Sequence, residues 1–112
     1  PKELQEHDIV GYHQNPLVIE GLRAGGIPAD ETWFAVKCDD QTAYWELVRA
    51  GCGIGFSQVS VAHRTPEMVQ LFPEMTIPPL PVWLAMPKAL QHMPRVRHVW
   101  NALEDGLKPH VS

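Results

Sequence analysis

Three glycines at alternate positions, Gly51-x-Gly53-x-Gly55, are the residues whose type and spacing most invite a chemical reading. Glycine-rich turns let a backbone come close to phosphate. A dinucleotide loop, however, is spaced G-x-G-x-x-G and runs from a strand into a helix, so that phosphate meets the positive helix end. Here the glycines follow a helical stretch and lead into an apolar run, where outward carbonyls repel phosphate. A helix C-cap followed by a close backbone crossing is the stronger reading. Gly55-Phe56-Ser57-Gln58 lacks the closing glycine of a nucleophile elbow. Asp39-Asp40 is more simply a helix cap than an acid–base pair. Cys38 and Cys52 form no C-x-x-C pair; a disulfide is open to them, but two reduced thiols in a cytosolic protein fit better. Histidines at 7, 13, 63, 92, 98 and 110 show no ligand spacing such as H-E-x-x-H, so no metal is expected. Nothing here assembles into a catalytic motif, and no cofactor is implied.

Composition narrows the class further. A chain of 112 residues is one domain or a piece of one. At 45% hydrophobic and 20% charged it can build a core and is not a disordered tail. The net charge is −4 with no basic block, which argues against this chain touching nucleic acid by itself. No apolar run approaches a membrane span, and no signal-peptide pattern is seen, so a cytoplasmic location is expected. The 11 prolines suggest many short elements. The opening residue is Pro1 rather than Met, as in a trimmed chain.

The elements that must position any site follow from periodicity. Lys2 to His7 reads as a polar helical turn around Leu4, and Asp8 to His13 as a strand with Ile9 and Val10 inside. In Gln14-Asn15-Pro16, Asn is a preferred N-cap and Pro a preferred first helical residue. Leu17, Val18, Gly21 and Leu22 mark that helix's inner face, and Gly25-Gly26 its end. Trp33 to Cys38 is a second strand. Asp39 or Asp40 caps the central helix, whose apolar face carries Tyr44, Leu47, Val48 and Gly51, with Thr42, Glu46 and Arg49 opposite. Trp45 lies toward the polar side and is either an interface anchor or covered by a loop. Ile54 to Phe56 reads as a short buried strand. Val59 to His63 forms a short helix, and Met68, Val69 and Leu71 go inside. Leu80 to Met86 is a nearly continuous apolar strand, expected to be buried. Pro94 begins the last helix, with Val96, Val99, Trp100, Leu103 and Leu107 on one face. Alternating strands and helices mean an α/β fold with a largely parallel sheet.

Three segments carry a family resemblance. They are Cys38-Asp39-Asp40-Gln41-x-Ala43-Tyr44-x-x-Leu47-Val48-x-Ala50-Gly51-x-Gly53-Ile54-Gly55, Leu80-Pro81-Val82-Trp83-Leu84 and Pro94-Arg95-Val96-Arg97. Together they resemble the C-terminal part of LysR-type transcriptional regulators, over nearly the whole chain. The resemblance implies an effector-binding domain with the periplasmic-binding-protein-like (type 2) fold: two α/β lobes around a cleft, each a mostly parallel sheet flanked by helices. Residues 1–79 would be most of the second lobe. Residues 80–112 would be the hinge strand and C-terminal helix returning to the first lobe. DNA would be bound only through an N-terminal domain that is absent here, as are the first lobe's early strands.

The resemblance also implies where a small-molecule effector would sit. The loop after the first strand supplies Gln14, Asn15 and Pro16, and the hinge strand supplies Val82 and Trp83. Asp40 and Gln58 stand at element ends facing the same crevice. Many relatives have proline where this chain has Gln58, which here places an amide at the crevice. The local alternative for each of these residues is capping or core packing. The last helix, lacking its usual partner, should dock on another surface, and a homodimer or tetramer is expected. A solute-binding protein of the same fold is the alternative function, and an export signal would mark it.

Overall fold

A computed structural model describes residues 2–111. The chain divides into two compact units, residues 1–78 and residues 79–112.

The first unit is built around β1 (Ile9–Gly11), whose Ile9 and Val10 are fully buried. β2 (Phe34–Lys37) pairs with it in parallel, with Val10 opposite Val36 and Gly11 opposite Lys37, and a register shift between Ile9 and Val10. On the other side Ile54 makes a parallel bridge to Ile9, closed by Val10 N–H donating to the Ile54 carbonyl (2.9 Å) and Ile54 N–H to the Asp8 carbonyl (2.8 Å). The expected strand at Ile54–Phe56 is thus reduced to one bridge, and its residues are half-buried. The parallel α/β character holds.

Two helices cross over between these segments. α1 (Leu17–Ala24) buries Val18 and Leu22, as its spacing predicts. α2 (Gln41–Arg49) buries Tyr44 and Val48, with Leu47 and Trp45 half-buried against the same core. Trp45 is thus neither fully covered nor fully exposed: it packs part of its side chain against the core. Asp40 caps α2, its carboxylate accepting from Ala43 N–H at 2.8 Å. The helix stops in a Schellman motif, in which Gly51 N–H bonds the Val48 carbonyl (3.0 Å) and Cys52 N–H the Leu47 carbonyl (3.1 Å). Gly51 takes φ +82°, and Gly53 takes φ +154° where a Cβ would lie 2.6 Å from the Asp8 carbonyl oxygen. Two of the alternating glycines are thus demanded by backbone, which disposes of the nucleotide reading on this chain's own geometry.

Beyond α3 (Val59–Ala62) the chain has no regular element up to residue 78. Met68, Phe72 and Met75 pack against the core from this stretch. Val69 and Leu71, expected inside, are exposed. Their run has helical spacing but no helix, so side chains next to Met68 point away from the core it reaches.

The second unit holds one long helix, α4 (Pro94–Leu107), which starts at Pro94 as expected. No residue of this unit is buried among those described. The buried strand expected at Leu80–Met86 is not formed: Leu80, Val82 and Trp83 are exposed, and no strand lies among residues 79–111. The physical reason is simple. A strand needs a neighbour for its N–H and C=O groups, and this unit offers none. Cys38 and Cys52 are free thiols.

Candidate functional site

Because β1, β2 and the Ile54 bridge run parallel, their chain segments all leave the sheet at one edge. Three connections gather there: residues 12–16 after β1, residues 38–40 after β2, and residues 56–58 after the bridge. This is the carboxyl edge of an α/β sheet, where small ligands characteristically bind.

The first connection is fixed by a residue from the second. His13 N–H donates to Asp39 Oδ1 at 2.8 Å, and Gln14 N–H reaches both carboxylate oxygens at 3.2 and 3.1 Å. Partial desolvation works to raise the Asp39 carboxyl, but the amides of Gln14, His13 and Asn15 and the nearby His13 ring outweigh it and hold it below its ordinary value. Asn15 turns the chain into α1, its Oδ1 accepting from Leu17 N–H at 3.0 Å. The third connection is tied to β1 by a buried phenol. Tyr44 donates its hydroxyl to the Val10 carbonyl (2.9 Å) and accepts from Phe56 N–H (2.9 Å). Burial pushes that phenol up to about 12. Tyr12 lies against the Tyr44 ring, centroids 4.9 Å apart, and gives its own hydroxyl to Gln41 Oε1 at 3.1 Å.

The predicted site residues fall into two groups. Gln14, Asn15, Pro16, Asp40 and Gln58 belong to the first unit and are all exposed at the carboxyl-edge connections. Asp40 is the N-cap of α2, and Gln58 precedes α3 without a side-chain cap bond. Val82 and Trp83 belong to the second unit. Val82 lines a shallow groove there with Leu84, Trp100, Leu107 and Val111, while Trp83 is 82% exposed. Asp39 was visible in the sequence only as a rival cap. The signal was the doublet itself, since one helix takes one N-cap and the other carboxylate must find donors elsewhere.

Among the described residues no group of His, Cys, Asp and Glu is placed to hold a metal ion. No helix there is long and apolar enough to cross a membrane.

A parallel α/β unit with polar loops gathered at its carboxyl edge belongs to the open α/β class of fold. The family model of the LysR substrate binding domain matches residues 1–108, and the chain belongs to that family. Its members are regulators rather than enzymes, and their effector domains have the periplasmic-binding-protein-like fold. No curated relative and no solved structure matches the chain.

Proposed function

We propose that this chain senses a small-molecule effector for a LysR-type regulator. Residues 1–79 are most of the second lobe, and residues 80–112 are the hinge strand and helix that return to a first lobe. DNA is read by a separate N-terminal domain, the assembly is a homodimer or tetramer in the cytoplasm, and the effector is bound without chemical change. The observation that carries this reading is the shared carboxyl edge, where Gln14, Asn15, Pro16, Asp40 and Gln58 stand exposed on three adjoining connections. Val82 and Trp83 are the effector residues proposed for the hinge strand, and the exposed apolar run around them suits a segment that gains strand neighbours only in a complete domain.

The test is effector-dependent transcription by the intact regulator carrying Asn15→Asp or Trp83→Ala. Asn15→Asp keeps an oxygen for the Leu17 amide, replaces the side-chain donor with an acceptor and adds a negative charge. Loss of one hydrogen bond to effector weakens the response up to about tenfold, and loss of the indole weakens it more. An unchanged effector response in both variants would remove this site.

A further inference from the structure

The amides of His13 and Gln14 point at one place, and the chain fills that place itself. Two successive N–H groups at the carboxyl edge of a parallel sheet make a seat for an acid group. The Asp39 carboxylate sits in it at 2.8 to 3.2 Å. Its neighbour Asp40 adds a second carboxylate at the same junction, held by Ala43 N–H. An incoming acid would have to displace the first and approach the second. A carboxylate has about four lone-pair sites, and the loop amides engage Asp39 from one side only. Asp39 is exposed, so its remaining acceptor capacity faces solvent.

We propose that Asp39 is the specificity-determining residue of this rim: it occupies the acid seat from within, so that the effector is met here through hydroxyl or ammonium donors and not through a carboxylate. That the rim belongs to the effector crevice rests on the function proposed above; the filled seat does not. Asp39 also positions the loop that carries Gln14 and Asn15, because those residues follow the amides it holds.

The experiment uses the full-length protein and no effector, so its outcome is independent of the Asn15 and Trp83 test. Hydrogen exchange of peptides covering residues 12–17 is followed in the wild type and in Asp39→Ala, with sodium acetate titrated against sodium chloride at equal ionic strength. In the variant these amides exchange about tenfold faster, and acetate restores their protection while chloride does not. In the wild type acetate changes nothing, because the seat is taken. Should Asp39→Ala fail to fold, Asp39→Gly likewise removes the acceptor, leaves the seat open and is read the same way. A folded variant whose loop stays unprotected at every acetate concentration overturns the proposal. So does a wild-type loop that acetate protects further.

Discussion

The hydroxyl of Tyr44 does the work of a missing strand. Only one bridge, at Ile54, joins the third segment to β1, yet Phe56 N–H and the Val10 carbonyl are both satisfied by this single oxygen. Tyr44→Phe keeps the ring against Tyr12 and deletes the oxygen. Two backbone groups then lose their partner, and the expected loss is about 1–3 kcal/mol in denaturant unfolding. The same phenol gives a pH signature. Its folded pKa is raised from 10.0 to about 12, so folding favours the protonated form. This contribution is complete below pH 10 and is lost as pH rises toward 12, because the unfolded chain then binds fewer protons. Tyrosinate absorbance in the folded protein should show one phenol titrating late, and Tyr44→Phe should abolish that phase. Asp39 has the opposite sign. Its folded pKa lies below 3.8, so its contribution holds above that pH and fades as pH falls through the folded value.

At the scale of elements, α2 and the turn after it are one device. The helix is capped by Asp40, stopped by Gly51 and packed by Tyr44 and Val48. Gly55 then passes so close that an added Cβ would overlap Val48 Cγ2 and stand 3.2 Å from the Tyr44 hydroxyl. Gly55→Ala must therefore push the segment off the helix, costing about 1–3 kcal/mol as overpacking does. Thermal unfolding should show it, and a variant as stable as wild type would deny the close crossing. Most of this element was legible in the sequence. Caps, stops and a 3.6-residue apolar stripe are local, and α1, α2 and α4 follow them. The site was less legible. Asp39 holds amides 25 and 26 residues away, and the Tyr44 hydroxyl meets a carbonyl 34 residues away. No local pattern records such partners. The misjudged stretches share another cause. An apolar run such as 80–86 states that it wants cover, but not whether a neighbouring strand is there to give it.

At the scale of the whole molecule, every buried apolar side chain among the described residues lies between Leu4 and Val48, and α4 has none. A fourteen-residue helix is marginal in water without tertiary support. Its stripe nonetheless leaves Val99 56% and Leu103 49% exposed, with Val82 and Trp83 uncovered in the same unit. Burying one such side chain is worth about 1.5–3 kcal/mol, so several together favour association. In the intact domain the proposed occupant of this face is the first lobe. The isolated chain 1–112 should instead self-associate through it. Sedimentation should then show a concentration-dependent dimer or larger species, and Leu103→Asp should shift it toward monomer while leaving the core of residues 1–78 folded by circular dichroism. Charge on that face costs the association because an unpaired carboxylate would be buried in the interface. A wild-type chain that stays monomeric at high concentration, with α4 still helical, would show that the stripe needs no partner and would count against a first lobe as its occupant.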